Sequence, residues 1–349
     1  MNLNIFQWRS LKTRTALFAL AIFLLCIGSL LLYGTQSIAD PKADKQAGKL
    51  PIKSVLSVIQ PLPSHVELAP QKVTLGERLF HDTRLSSNDS ISCLSCHGLT
   101  TGGVDNRAHS IGVNGALGDI NTPTVFNSGF NFAQFWNGRS ATLEDQIDGP
   151  VNNPKEMASN WPQVIAKLSR DATYPAQFSR VYRDGVTAPN IKDAIATFER
   201  SLVTPNSRFD KYLNGDSAAL SANEKHGFEL FQSYGCSSCH QGINLGGNMF
   251  GKVGLMGDYF ADRGNPTDAD KGRFDLNHDG RGMHVFKVPS LRNVARTAPY
   301  FHDGHIKTLR QAVATMAKYQ LGRPLPVEDM NDIVAFLESL TGEYKGKPL

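Results

Sequence analysis

Two short segments carry most of the chemistry that can be read in this chain: Cys93-Leu94-Ser95-Cys96-His97 and Cys236-Ser237-Ser238-Cys239-His240. Four thiols in two Cys-x-x-Cys pairs offer three chemistries: a tetrahedral zinc site, redox dithiols or disulfides, and covalent attachment of haem. The histidine after each second cysteine separates them. Neither zinc nor a disulfide needs that fixed neighbour. Haem c uses all three residues: two thiols three positions apart reach the vinyl groups, and the next residue places an imidazole nitrogen on the iron. The pattern occurs twice, so the sequence predicts two covalent haem c groups. Cys93 and Cys96 tether the first and Cys236 and Cys239 the second, with His97 and His240 as proximal ligands.

The sixth position of each iron decides its use. Two strong axial ligands make an electron carrier, whereas an open site makes a catalyst or gas binder. A soft, neutral thioether raises the potential of its iron. The second half of the chain offers Met249, Met256, Met283 and Met316, and the first half offers His109. Spacing does not choose among the methionines, because methionine also fills apolar gaps.

The elements that must hold these groups are mainly helical. Apolar residues recur at helical spacing near 75–80, 191–202, 225–234, 309–319 and 327–340, with shorter helices expected at 141–147, 161–168 and 176–182. Residues 98–127 and 242–288 are rich in Gly, Asn and Asp and read as long irregular loops, and 204–217 reads as a joint. The order helix, CxxCH, long loop, helices appears twice. The expected organisation is a mainly α protein of two cytochrome c-like haem domains, 71–203 and 204–349, with loops packed on the cofactors.

Ahead of them lie a Lys- and Pro-rich linker at 40–70 and an N-terminal segment at 1–39. Arg9, Lys12 and Arg14 precede the uncharged run 15–35, and Ser37-Ile38-Ala39 offers small residues for a peptidase. Both a cleaved signal peptide and an inner-membrane anchor fit this pattern, the length leaning to the anchor; either way the body is exported. The 349 residues carry a formal charge of +4, with 41% hydrophobic and 19% charged residues, which fits a soluble body. No basic run with interleaved aromatics is present, which argues against a nucleic-acid partner.

From about Leu75 to Gly342 the chain resembles the bacterial dihaem cytochrome c peroxidases, of the wider family that includes MauG-type enzymes. The segments that carry the resemblance are LGERLFHDTRLS, NTPTVFNSGFNFAQFWNGR, LVTPNSRFDKYL, FKVPSLRNVARTAPYFHDGHIKTLRQAV and TMAKYQLG. It implies that the N-terminal haem reduces hydrogen peroxide. The C-terminal, high-potential haem would take electrons from a small soluble cytochrome c or cupredoxin in the periplasm. By the same resemblance Met316 is the axial ligand of the second haem, Trp136 an electron relay between the haems, Glu156 the acid–base residue and Gln146 its neighbouring amide. Asn121, Thr297 and Pro299 match positions around one inter-domain calcium, and a homodimer is common in the family.

One departure stands out. Where many members hold a histidine that closes the peroxide site of the oxidised enzyme, this chain has Val113, which cannot bind iron. The expectation is a site open at rest, with His109 the alternative ligand if the loop is re-registered. The rival functions are MauG-like oxidation of a partner protein, against which Met316 speaks, and pure dihaem electron transfer. The stretch 275–280 resembles the start of a calcium loop, but Phe286 occupies the position of its bidentate Glu, so it reads as a surface turn. His302 and His305 are read as support near the second haem.

Overall fold

The apolar stripes of the sequence become helices packed around two separate cores. A computed structural model describes residues 59–349. The run 15–35, read as a signal or anchor, lies outside the described residues, and so does the linker up to residue 58. Among the described residues no helix is long and apolar enough to cross a membrane.

The first core is built by α1 (Pro70–Phe80), the single turn α2 (Cys93–Cys96), α3 (Leu143–Asn152), α4 (Trp161–Ser169), α5 (Tyr174–Val181) and α6 (Ala188–Ser201). It buries Leu79, Phe80, Ile147, Leu168, Phe178 and Ile195. The second core is built around α7 (Arg208–Leu213), α8 (Ala222–Ser233), α11 (Leu309–Gln320) and α12 (Val327–Glu338), and it buries Phe209, Phe228, Phe231, Ile333 and Phe336. The short helices α9 (Tyr259–Arg263) and α10 (Phe274–Asn277) lie between α8 and α11 in the chain. Side chains at the helix starts stop the first turn from wasting donors: Thr142, Asn160 and Thr187 accept single backbone N–H groups, and Ser207, Ser221 and Thr308 form reciprocal boxes with Asp210, Glu224 and Gln311.

Each core turns on one glycine. A Cβ on Gly76 of α1 would lie 1.9 Å from the Ala194 carbonyl oxygen of α6, and one on Gly227 of α8 would lie 1.9 Å from that of Asp332 on α12. Only glycine allows the backbones to cross so closely. Four residues after each glycine an aromatic side chain reaches the helix opposite: Phe80 meets Phe198 and Phe231 meets Phe336, both with ring centroids 5.2 Å apart.

Two sequence expectations change. The joint at 204–217 contains α7, whose Asp210 is buried and accepts from Arg292 Nη1 at 2.6 Å. The loop 242–288 contains β1 (Phe250–Lys252), paired antiparallel with β2 (Val285–Lys287) so that Gly251 faces Phe286. Phe286 is 5% exposed and packs with Tyr259 and Phe260, which settles it as an apolar residue and not a ligand. A second hairpin, β3 (Glu343–Tyr344) with β4 (Lys347–Pro348), ends the chain.

The cores meet at a buried polar seam. Thr204 Oγ1 accepts from Asn127 Nδ2 and from Asn293 Nδ2, both at 2.8 Å, while the Thr204 N–H donates to Asn127 Oδ1 at 3.0 Å. Asn244 Nδ2 donates to the Asn127 carbonyl and to Asn131 Oδ1, each at 3.0 Å. The described residues, 59–349, accordingly fall within one compact unit.

Candidate active site

The two CxxCH segments fold into the same cradle. The His97 N–H donates to the Cys93 carbonyl at 2.9 Å and the His240 N–H to that of Cys236 at 3.0 Å. Each ring then turns Nδ1 to a main-chain oxygen, Gly103 for His97 and Leu245 for His240, both at 3.3 Å. The Pro123 and Pro289 carbonyls lie against the same two rings. With Nδ1 held by carbonyls, Nε2 is the nitrogen left to bind a metal, the arrangement expected of a proximal ligand. Phe80 and Phe231 pack beside the rings at centroid distances of 6.5 and 6.4 Å.

The surroundings fit haem better than the alternatives. Burial lowers the proton affinity of His97 and pushes that of His240 down to about 4, yet both residues keep part of their surface open. They line hollows rather than solid core. Burial also raises the Cys93 thiol and pushes Cys96 and Cys236 up to about 11. Burial favours the neutral thiol at these three positions. All four cysteines are free. Among the described residues the one cluster with metal-site spacing is Asp270, His302 and Asp303, and there the Arg263 guanidinium already pairs with both carboxylates.

Beyond the cradles the chain repeats itself at a constant offset. Pro123 corresponds to Pro289, Asn127 to Asn293, Phe135 to Phe301, Trp136 to His302 and Thr142 to Thr308. The correspondence is conformational as well: Asn127 and Asn293 have φ of 60° and 61°, and Phe135 and Phe301 of 67° and 68°. The Gln134–Ser140 bridge matches the Tyr300–Ile306 bridge. Thr142 and Thr308 cap α3 and α11, and eight residues further on the repeats part company. Met316 on α11 lines a small apolar cavity with Tyr259, Phe301 and His302; the corresponding position on α3 is Pro150. Proline offers no side-chain ligand. Of the other methionines, Met256 is 64% exposed, which removes it as a ligand.

Glu156 lies in the turn after α3, where Asn153 Nδ2 donates to its Oε1 at 2.7 Å. Burial raises this carboxyl above its ordinary value, outweighing the Asn153 amide and the Arg139 guanidinium, which lower it. Gln146 is half-buried on α3, one turn before Pro150 and on the same face. Val113 is buried, and its N–H donates to the Glu156 carbonyl at 2.9 Å. A Cβ on Gly112 would sit 2.0 Å from the Lys155 carbonyl oxygen, so the loop around Val113 rests backbone against backbone on the Glu156 turn. His109 Nδ1 is buried without a partner.

The chain is similar to known proteins along most of its length. Residues 70–218 match the family model described as di-haem cytochrome c peroxidase. Cytochrome c551 peroxidase of Pseudomonas aeruginosa is 42% identical, over 92% of both chains. The chain belongs to the di-haem cytochrome c peroxidase family. Cytochrome c peroxidase Ccp of Escherichia coli is 53% identical over 82% of this chain, which spans 61% of the length of that protein. A solved MauG-like protein associated with microbial copper homeostasis superposes with a TM-score of 0.72 at 29% identity, covering 81% of this chain and 95% of its own.

For this di-haem peroxidase family member, the remaining expected residues gather at the seam. Trp136 Nε1 donates to the Asn121 carbonyl at 2.9 Å, and its ring meets His302 edge-on with centroids 6.3 Å apart. His302 is buried and bonded to Asp270 at 2.7 Å. Asn121 is also buried, with Nδ2 donating to the Arg107 carbonyl at 2.8 Å, while Asn106 Nδ2 donates to the Arg296 and Ala298 carbonyls. The carbonyls of Thr297 and Pro299 alternate with those two along the chain. Sequence reasoning missed Arg139 beside Glu156, Pro150 at the position equivalent to Met316, and Lys287 next to Trp136. The repeated Pro-x-x-x-Asn and Thr-Leu signals at constant offset were available to find the second of these.

Proposed function

We propose that this chain reduces hydrogen peroxide to water at the first haem, with electrons entering through the second from a small c-type cytochrome or cupredoxin. The observation that supports it is the asymmetry of the duplicated scaffold, with Met316 in the second repeat and Pro150 in the first. Only the second iron would gain a thioether, leaving the first with a free coordination position. When bound, the haems supply the iron and the electron storage for the reaction.

The residues of the chain supply the proton chemistry. Peroxide takes two electrons and two protons to give two waters. Glu156 accepts the first proton from one peroxide oxygen and returns it to the leaving oxygen, a transfer that its raised proton affinity favours. Gln146 holds the departing water, and the carbonyl bonded to His97 Nδ1 strengthens that ligand. Trp136 carries electrons across the seam. Asn121, Thr297 and Pro299 hold calcium there. Leu255 and Met256, exposed where Met256 N–H bonds the Tyr319 carbonyl of α11, offer the donor an apolar landing. The reaction belongs in the periplasm, reached through the N-terminal segment. Met316 disfavours MauG-like oxidation of a partner protein.

Replacing Glu156 with Gln tests the assignment. Both haem absorption spectra stay as in wild type while peroxide turnover falls by about 100-fold or more. The acid limb of the wild-type kcat/KM profile lies above the ~4.3 of an ordinary glutamate and is lost in the variant. Turnover retained by the variant removes Glu156 from the mechanism.

A further inference from the structure

Arg292 and Lys287 are buried, and the Arg263 side chain, 7% exposed, is held by Asp270 and Asp303. Arg292 has Asp210 at 2.6 Å. Lys287 is 7% exposed and has no acceptor for its ammonium within the described residues; burial alone pushes it down to about 8, with no carboxylate acting the other way. A cation so largely withdrawn from water and without a protein acceptor is stabilised by an anion beside it.

Its position says what kind of anion. Lys287 ends β2, and its N–H donates to the Trp136 carbonyl at 2.7 Å. It stands two residues before Pro289, whose carbonyl lies against the His240 ring, just as Asn121 stands two before Pro123 beside His97. Trp136 is thus held from both sides by equivalent positions of the two repeats, Asn121 through Nε1 and Lys287 through the main chain. Protein carboxylates near this seam are already engaged: Asp270 and Asp303 by Arg263, and Asp270 also by His302. Haem brings its own carboxylates, the two propionates.

We propose that Lys287 forms an ion pair with a propionate of the second haem and that its charge raises the reduction potential of that haem. The inference rests on the two-haem reading above. A fixed positive charge stabilises the iron that has gained an electron, and in a water-poor seam the effect is weakly screened. The pair also fixes β2, and with it the backbone contact to Trp136.

The experiment is a spectroelectrochemical titration of the holoprotein and of Lys287→Gln and Lys287→Arg, each first assayed for two thioether-linked haems per chain. That assay tests the two-haem reading separately, and peroxide turnover plays no part in the outcome. In Lys287→Gln the one-electron equilibrium constant of the second haem falls about tenfold, about 59 mV, while Lys287→Arg stays within about threefold of wild type. An unchanged potential in Lys287→Gln, a shift confined to the first haem, or an equal fall in Lys287→Arg overturns the proposal. Should Lys287→Gln not retain both haems, the propionate bending bands in the resonance Raman spectra of wild type and Lys287→Arg decide. Displaced bands support the pair, and identical bands overturn it.

Discussion

Glu199 is a carboxylate that the proposed reaction leaves unused. It lies on α6, 6% exposed, with Oε2 lacking a hydrogen-bond partner. Burial pushes its carboxyl up to about 8, with Arg200 pulling the other way and Glu144 adding repulsion. The folded state therefore binds this proton more tightly than the unfolded chain does. Below about pH 4.5 both states are protonated and nothing is lost; from there to about 8 stability falls as pH rises, and above 8 the deficit is constant. At pH 7 the deficit is roughly 3 kcal/mol. Glu199→Gln removes that part of the slope, so urea midpoints of wild type and variant, close at pH 5, separate in the variant's favour by pH 8. Parallel midpoints at every pH would leave Glu199 without this role. Neither Glu199 nor Lys287 was legible in the sequence, because a lone charge in an apolar stretch looks the same whether it faces water or a hollow. The CxxCH residues were legible because covalent chemistry fixes their spacing.

At the proposed peroxide site the loop of Val113 and the turn of Glu156 are tied together by their backbones. The loop bearing Val113 closes on itself through Gly112 N–H to the Ala116 carbonyl at 2.8 Å and Gly118 N–H to that of Ser110 at 2.9 Å. It is also bonded to the Glu156 carbonyl through the Val113 N–H. Any loop shift that brought a ligand toward the iron would pull on the acid–base turn as well. With valine at this position the oxidised protein is expected to show a high-spin first haem and to react with peroxide without prior reduction. In Val113→His the first haem becomes low-spin, and resting turnover drops by about tenfold or more until the second haem is reduced. A low-spin bis-histidine signal in wild type would instead make His109 the ligand. The long helices were readable from their apolar periodicity, and α3 differs from expectation mainly in running on to Asn152. α7 was not read, although Ser207 and Asp210 form a capping box at its start, because the surrounding Pro, Asn and Gly residues spell a turn. What makes it a helix is remote: Phe209 enters the second core and Asp210 meets Arg292. The β1–β2 pair escaped for the same reason, its partners lying more than thirty residues apart in a polar loop.

At the scale of the molecule, duplication was visible in the recurrence of CxxCH and its flanking helices, but the residue that joins the copies was not. Thr204 sits between the repeats and receives one amide from each, Asn127 and Asn293, themselves equivalent and both left-handed. A Cβ on Gly342 would come within 2.0 Å of the Thr204 carbonyl oxygen, so the C-terminal segment is seated on the same point. The two cores share few apolar side chains. This polar pin joins them, together with main-chain bonds such as Asn121 N–H to the His302 carbonyl and Lys287 N–H to the Trp136 carbonyl. Thr204→Val keeps the shape of the side chain and deletes the acceptor, leaving two buried N–H donors unpaired at about 1–3 kcal/mol each. The variant is expected to lose about 2–4 kcal/mol of stability and to unfold in two calorimetric steps where wild type shows one, since each core retains its own glycine crossing and aromatic cluster. Electron transfer between the haems, followed after flash reduction of the second, should slow in step. A variant that unfolds in one step at the wild-type temperature would place the coupling of the halves in the haems and their ions, not in Thr204.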